Sequence, residues 1–406
     1  MIQPALARAF ARDERSRRRR SLAMLAPALI FALLFFLLPI AVFLLRAVDN
    51  REVHAALPRT AVAMAAWDGV ALPGEPAFAA LAADLRALPD PIAAATLGRQ
   101  LNAHMSGLRS MVVRAAARLP AEPRENWRAT FLALDRRWED PAVWTLLRHE
   151  SGWLTPAYLL AALDRERGEA GRIRAAPPDR AIFLDLLART LWICAAVTLI
   201  CVVIAFPLAV VMARAGPRLG SWLLVLVLLP FWTSLLVRST AWIILLQQQG
   251  LVNQGLLWLG LVGEPLALLY NRLGVLIAMT HVLLPLAVLP MYSVMRGLDR
   301  QALRAGASLG ATPLRVFRSI YLPQVAPGVI AGAALVFVSA LGYYITPELV
   351  GGPGDQMIAW FIAYFTADSV NWGMASALSL VLLGTVALAY LATARAVGPR
   401  RLRLRG

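Results

Sequence analysis

Side chains able to perform covalent or metal chemistry are few in this chain and stand apart from one another. His281 lies in an apolar run that holds no second histidine, cysteine or carboxylate at ligand spacing. Cys194 and Cys201 lie about two helical turns apart within one apolar run, which is too far for a disulfide between them. We therefore predict no catalytic residue, no metal site and no bound cofactor.

The chain contains no lysine, so every basic side chain other than histidine is an arginine. A phosphate-binding loop of the form GxxxxGK[ST] needs its lysine to reach the nucleotide phosphates. This chain therefore carries no ATP site of that kind. If ATP drives its function, another subunit must bind the nucleotide.

A few polar residues could instead line a path for a solute. Arg238 stands inside an apolar run, where ionisable groups usually face a cavity or a partner, although snorkelling to the interface is the alternative. Further along, Tyr343, Tyr344, Glu348 and Asp355 could offer carboxylates and aromatic faces to a cation. The alternative for the two carboxylates is that they lie in solvent at the edge of the apolar runs and bind nothing.

Composition places the chain in a membrane. Hydrophobic residues make up 59% of it and charged residues 16%, whereas soluble domains are nearer half apolar and a quarter charged. The net charge of +16 would suggest nucleic acid for a soluble protein. Here the arginines cluster beside apolar runs, as the positive-inside rule describes, and no nucleic-acid motif is found. We predict a lipid bilayer as the surroundings and no nucleic-acid partner.

Six transmembrane helices are predicted from the apolar runs, at about 22–46, 186–213, 219–246, 273–295, 325–346 and 373–395. Arginine is dense in the alternate connections, whereas the connections 247–272 and 347–372 contain only Arg272. This asymmetry predicts that both termini are cytoplasmic.

The resulting organisation has five parts. They are a basic cytoplasmic arm at 1–20, a first transmembrane helix at 21–48, an extracytoplasmic helical insert at 49–184, a five-helix core at 185–396 with a cytoplasmic loop at 296–324, and a basic cytoplasmic tail at 397–406.

The segment 49–184 has no run long enough to cross a bilayer. Apolar residues recur at helical spacing in 76–88, 91–118 and 123–137. Five tryptophans offer anchors for a core and argue against a disordered spacer. We predict a compact helical domain here, with a long irregular loop as the alternative.

Between two apolar runs lies a polar, arginine-bearing segment, 304–328. It contains Leu309-Gly310-Ala311, then Phe317, then Leu322-Pro323. Glycine reaches positive φ without steric cost and suits a bend, and Pro323 predicts a break before the next helix.

This order resembles the coupling loop of ABC-importer permeases, in which two short helices meet at a glycine and dock on a separate ATPase. The resemblance implies a docking role for a set of residues at matching positions. They are Arg304, Leu309, Gly310, Ala311, Phe317, Leu322 and Pro323.

Four further segments are similar to the spermidine/putrescine branch of these permeases. They lie at 229–242, at 253–254 with 268–271, at 281–292, and at 342–352 with 355, 357–358 and 371–373. The resemblance covers about 185–395. It implies an all-α inner-membrane protein with the six-helix type I importer fold and no enzymatic activity of its own. It also implies an ATPase dimer, a second permease subunit forming a heterodimer, an extracytoplasmic solute-binding protein and a small cationic solute such as a polyamine.

Two departures from the family pattern stand out. The family loop usually opens with Glu-Ala-Ala, but Arg304 stands at the glutamate position and Gly306 at the second alanine. The insert 49–184 is also longer than the first outer loop of that branch, and the resemblance does not reach it.

Other functions stay open at this stage. The chain could be an ABC permease for another small solute, or a membrane-anchored sensor or structural protein whose working part is 49–184. A channel or ATP-independent carrier is disfavoured because no internal repeat is evident.

Overall fold

Helices form most of the described chain. The computed structural model describes residues 24–69, 71–102, 105–122, 124–168 and 172–401, with backbone alone at 217, 300, 389 and 392–401. The predicted arm at 1–20 and residues 402–406 of the predicted tail lie outside the described residues. Internal contacts divide the chain into two compact units, Met1–Arg174 with Asn371–Leu380 and Ala175–Val370 with Val381–Gly406.

The first unit begins with α1 (Met24–Leu45), which includes a π-helical turn at Leu33–Leu37. The helices that follow are α2 (Arg51–Ala56), α3 (Pro58–Ala65), α4 (Glu75–Arg86), α5 (Pro91–Asn102), α6 (Leu108–Arg118), α7 (Trp127–Leu134), α8 (Pro141–Glu150) and α9 (Ala157–Ala162). A 3-10 turn at Arg136–Glu139 precedes α8, and strands β1 (Arg165–Arg167) and β2 (Ile173–Ala175) pair in a small hairpin.

Prolines and capping side chains set the ends of these helices. Pro58, Pro91 and Pro141 stand in first turns, where a missing N–H costs nothing. The side chain of Asp140 accepts the N–H of Ala142 and so caps α8. The predicted helical stretch 91–118 is two helices, because Gly107 between them adopts a φ of +92°.

Aromatic side chains fill the core between α4, α7 and α8. Trp138 and Trp144 are fully buried, and the ring centroid of Trp144 lies 4.3 Å from that of Phe78. The Trp144 indole N–H donates to the carbonyl of Trp138 over 2.9 Å. Trp153, by contrast, is 68% exposed. The segment predicted as helical thus encloses an apolar core of its own.

The second unit contains longer helices. They are α10 (Phe183–Arg214), α11 (Pro217–Leu228), α12 (Leu235–Leu246), α13 (Leu251–Trp258), α14 (Arg272–Arg296), α15 (Arg300–Ser308), α16 (Pro313–Leu341), α17 (Ile345–Val350) and α18 (Ile358–Ala367). The last helix, α19 (Trp372–Arg401), begins in the first unit and ends in the second.

The core of this unit lies between α10, α14 and α16. Small residues let the backbones approach closely, as is usual between membrane helices. A Cβ added at Gly332 of α16 would lie 2.8 Å from the carbonyl oxygen of Ala287 in α14. Only glycine fits there without a shift of one helix.

The predicted continuous span 219–246 is wrong. The helices on either side of residues 233–234 are bent by 101°, so this run is a broken span or a re-entrant loop. Pro230 removes a helical donor, and the backbone at Thr233 and Ser234 is extended. The Thr233 hydroxyl donates to the Pro230 carbonyl over 2.9 Å, which satisfies an acceptor at the break.

The predicted break at Pro323 is also wrong. Helix α16 runs without interruption from Pro313 to Leu341, so the predicted loop 296–324 is partly helical. A π-helical turn at Phe317–Tyr321 precedes the proline, and the Leu322 N–H bonds to the Phe317 carbonyl. The missing proline N–H therefore falls where the bonding register already changes, not within regular α-helix.

Four described helices are long and apolar enough to cross a membrane: α1, α10, α14 and α16. The bent pair brings the number to five if it counts as one span. In the last helix, the described apolar part is the shorter stretch Trp372–Leu388. The predicted connections 247–272 and 347–372 contain helices that the sequence did not indicate, namely α13 and α18.

A buried carboxylate caps α3 from a neighbouring helix. Asp84 of α4 is 2% exposed and accepts the Thr60 N–H over 2.7 Å, the Thr60 hydroxyl over 2.8 Å and the Arg59 N–H over 3.3 Å. We expect Asp84→Ala to lower the free energy of unfolding of this unit by about 2–3 kcal/mol, because it leaves first-turn donors unsatisfied.

Thr60→Val is the matched control, since it removes only the hydroxyl bond and should cost about 1 kcal/mol. Denaturation of the full chain in detergent, followed by tryptophan fluorescence, measures both. Equal losses in the two variants would contradict the capping role of Asp84.

Candidate coupling corner and membrane path

A tight corner joins α15 to α16 at Gly310. The Gly310 N–H bonds to the Ala307 carbonyl over 3.0 Å, and the Ala311 N–H bonds to the Gly306 carbonyl over 3.2 Å. Together these bonds form the Schellman pattern that ends helices, and Gly310 adopts the left-handed φ of +78° that the pattern requires. Gly310 therefore lies where the sequence places the bend.

The corner presents exposed side chains. Leu309 is 88% exposed, and Leu314, which precedes Arg315, is 63% exposed. Among the predicted coupling residues, Arg304, Gly310, Leu322 and Pro323 are exposed as well, and Ala311 is half-buried. An exposed apolar tip with a basic rim is a surface that a partner protein can cover.

Phe317 has a different setting from the exposed tip. Its ring stacks on Tyr321 at 5.8 Å and meets Phe206 of α10 edge-on at 6.2 Å. It remains 39% exposed. Phe317 thus fixes the start of α16 to α10 while offering one edge outward.

Sequence reasoning missed one residue at the corner. Gly306 is buried, and a Cβ there would lie 2.4 Å from the tip of Ile320. A small residue at this point lets α15 lie against α16. The sequence shows this glycine one turn before Gly310, where it stands at the position of the family's second alanine.

A donor-rich cluster lies just beyond the break in the third apolar run. Arg238 stands in the first turn of α12, and its Nε and Nη1 atoms are shielded from solvent with no hydrogen-bond partner. Trp242 stands one turn further along the same face of α12 and contacts His281 of α14. Among the described residues, Arg238 forms no ion pair.

A hydrogen bond orients the histidine of this cluster. The Trp242 indole N–H donates to His281 Nδ1 over 3.2 Å. In the neutral ring the proton therefore sits on Nε2, which is a donor. Arg238 and His281 both present N–H groups, so the cluster favours an acceptor such as a carboxylate or carbonyl oxygen.

The other predicted path residues differ in their exposure. Tyr343 is half-buried, whereas Tyr344 and Glu348 are exposed at the start of α17. The hydroxyls of Ser239 and Thr346 lie 3.1 Å apart and fasten α12 to α17.

Asp355 is occupied by its own neighbours. It is 6% exposed, and its Oδ1 accepts from Arg272 Nε over 2.9 Å, while its Oδ2 accepts the Gly352 N–H over 3.2 Å. Arg272 also lies over the ring of Trp192 at 5.5 Å. This carboxylate holds the loop before α18, and its charge is already compensated.

Within the described residues, no three histidine, cysteine or acidic side chains come together to hold a metal. Cys194 and Cys201 are buried and free.

A sequence model of the family described as "Binding-protein-dependent transport system inner membrane component" matches residues 205–401. The spermidine/putrescine transport system permease protein PotB of Escherichia coli K12 is 32% identical over 212 residues, which are 52% of this chain and 77% of that protein. The chain belongs to this family.

Other relatives agree with the family. PotB of Haemophilus influenzae is 34% identical over 211 residues, covering 51% of this permease and 74% of that protein. The inner membrane ABC transporter permease protein YdcU of E. coli K12 is 34% identical over 236 residues, covering 53% and 72%.

Among solved structures, a bacterial alginate ABC transporter in complex with an alginate pentasaccharide-bound periplasmic protein has a TM-score of 0.44 at 18% identity. The match covers 53% of this chain and 80% of that chain.

Family membership confirms several predictions. The chain is an inner-membrane ABC importer permease and not an enzyme. The all-α fold with a permease domain is confirmed as well. The relatives match only about half of the chain.

Arg238 and Arg272, both in the second unit, provide a matched test of pairing. We expect Arg272→Met to lower the free energy of unfolding by about 1–3 kcal/mol, because Asp355 is left buried without its partner. Arg238→Met should be neutral or slightly stabilising in the isolated subunit, because it removes buried donors that have no acceptor.

Thermal unfolding of both variants in one detergent measures the difference. A larger loss for Arg238→Met than for Arg272→Met would show that Arg238 has a partner within its own chain.

Proposed function

We propose that this permease is one of two membrane subunits of an ATP-driven importer that carries polyamines. The names of its relatives support this substrate, since three quarters of the PotB chain aligns at 32% identity. An extracytoplasmic binding protein delivers the solute, and a second permease completes the path as a heterodimer.

The proposed topology has six membrane spans, both termini in the cytoplasm and the insert 49–184 outside. The apolar helices and the arginine asymmetry support this arrangement. The bent pair serves as the third span, and the apolar start of α19 continues as the sixth.

ATPase docking is assigned to the corner around Gly310. The observation that carries this role is the exposed Leu309 tip on a Schellman corner with a left-handed glycine. Arg304 places a positive charge on this surface, so a complementary ATPase surface carries a carboxylate opposite it. Helix α16 then connects the corner to the membrane core without a break.

A matched pair of glycines tests the coupling role. Gly310 and Gly216 both have open space around an added Cβ, but only Gly310 has a positive φ, whereas Gly216 has a φ of −62°. Gly310→Ala should strain the corner by about 1 kcal/mol and reduce ATP-driven uptake about fivefold. Gly216→Ala should leave uptake unchanged.

The measurement is solute uptake per ATP hydrolysed, in proteoliposomes that contain both permeases, the ATPase and the binding protein. Equal uptake by the two variants would remove the corner from the coupling mechanism.

A second candidate function is import of a small solute that bears an oxyanion or carbonyl groups. The Arg238–His281 cluster favours it, since this part of the membrane unit offers donors and positive charge. A polycation gains nothing from such a site.

Charge removal at Arg238 separates the two candidates. If the path carries polyamine, Arg238→Gln should keep or raise spermidine uptake, because it removes a like charge. If the path carries an oxyanion-bearing solute, Arg238→Gln should lower uptake of that solute tenfold or more, about 1.4 kcal/mol of transition-state stabilisation, and Arg238→Lys should restore part of it.

A ligand screen of the cognate binding protein supplies the solute for the second arm. Binding of spermidine by that protein, together with unimpaired uptake by Arg238→Gln, is the expected result. Loss of spermidine uptake in Arg238→Gln, restored by Arg238→Lys, would contradict the polyamine proposal, because it would show that polyamine import needs the positive charge at this position.

A further inference from the structure

The helical segment of the first unit is fastened to the end of a membrane helix. Helix α1 ends at Leu45, and a turn of three residues leads to Val48. The Thr155 N–H then bonds to the Val48 carbonyl over 3.0 Å, and the Asn50 N–H bonds to the Trp153 carbonyl over 3.0 Å. Residues 153–155 are thus held three to five residues beyond the apolar helix.

That spacing places residues 153–155 at the membrane boundary. A helical or 3-10 turn rises about 1.5–2 Å per residue, so residues 48–50 stand roughly 5–10 Å beyond the end of α1. The headgroup layer on each side of a bilayer is about 5–8 Å thick. The paired segment therefore lies at headgroup depth.

Contacts between the end of α1 and the start of α19 mark the same depth in the membrane. Trp372 at the start of α19 meets Phe43 of α1 edge-on at 6.3 Å, and the guanidinium of Arg46 lies 5.5 Å from the Trp372 ring centroid. The Ser376 hydroxyl donates to the Phe43 carbonyl over 2.6 Å. Gly373 abuts the ring of Tyr158, which belongs to α9. A tryptophan and an arginine at matching ends of two apolar helices are typical of a membrane–water interface.

Two large apolar side chains stand open at this level. Trp153 and Leu154 are each 68% exposed, while the tryptophans of the core, Trp138 and Trp144, are fully buried. The Trp153 indole N–H donates to His54 Nε2 over 2.7 Å, and His54 Nδ1 lies 2.7 Å from the Ser151 carbonyl oxygen. The indole is therefore held in place with its polar group satisfied and its apolar face outward.

We propose that Trp153 and Leu154 insert into the headgroup–acyl boundary and hold this helical segment against the lipid surface. The partner is the bilayer itself. The pairing with the end of α1 puts both side chains at that depth, and an orientated indole beside a leucine is the apolar surface that the boundary accepts. This inference is independent of the transported solute.

Depth measurement by spin labelling tests the proposal in the full chain in lipid nanodiscs. The native cysteines are buried, so single labels at Leu154→Cys and Trp153→Cys are placed in a Cys194→Ala, Cys201→Ala background. Ile92→Cys is the matched control, since Ile92 is 74% exposed in the same unit, and Leu29→Cys on α1 is the lipid reference at 56% exposure. Leu154→Cys leaves the Trp153–His54 bond intact, so one site remains informative if the other disturbs folding.

The readout is the collision rate of each label with oxygen, which concentrates in lipid, and with Ni-EDDA, which stays in water. We expect the oxygen-to-nickel ratio at 153 and 154 to exceed that at 92 several-fold and to approach that at 29. A ratio at 154 equal to that at 92 would overturn the proposal, because the side chain would then face water. Low collision rates with both reagents would overturn it too, because protein would then cover the surface.

A label-free measurement tests the same proposal. Dibrominated phosphatidylcholine quenches tryptophans that reach the bilayer. Trp153→Phe should reduce the quenchable fraction, whereas an unchanged fraction would place Trp153 outside the lipid.

Discussion

Close contact between α14 and α16 is the constraint on which the second unit depends. Gly332 brings the helix backbones together at Ala287, and Gly328 does the same at the carbonyl of Pro290, where an added Cβ would lie at 2.9 Å. Lipid offers little driving force for association, so packing of this kind must hold the helices together. The same helix α16 begins two residues after Ala311 and runs unbroken into this contact. A displacement at the corner would therefore move the packed core and would not be absorbed by a hinge at Pro323.

Sequence patterns located the apolar helices and the corner at Gly310, but not the path of the backbone within those helices. Apolar runs located every long helix, and the glycine at 310 marked a left-handed corner, because both depend on local chemistry. The break at residues 233–234 was missed, since hydropathy measures length and composition but not the path of the backbone. Pro323 does not break its helix, because a π-helical turn just before it has already shifted the hydrogen-bond register at the point where the proline N–H is missing. The insert showed helical spacing, yet Gly107 divides one predicted stretch in two.

Ion pairs between residues distant in sequence depend on the tertiary fold, so the sequence alone does not show them. The sequence places Arg238 inside an apolar run and Arg272 at the end of an outer connection, but it does not show which of them has an acidic partner. In the structure Arg272 meets Asp355, which lies 83 positions away, whereas Arg238 has no ion-pair partner among the described residues. The charge of the predicted acidic path residue Asp355 is thereby compensated, whereas Glu348 stays exposed and Arg238 has no acidic partner among the described residues.

The tryptophans of the first unit stand in two environments that have different physical causes. A small helical segment needs buried aromatic area to fold, and Trp138 and Trp144 provide it together with Phe78. Trp153 adds nothing to that core, yet it is held by His54 and by backbone pairing to Asn50. An exposed indole fixed this firmly is not explained by folding. Its position beside the end of α1 explains it, because a side chain that is apolar on its face and satisfied at its N–H is stable at a lipid boundary and poorly placed in water.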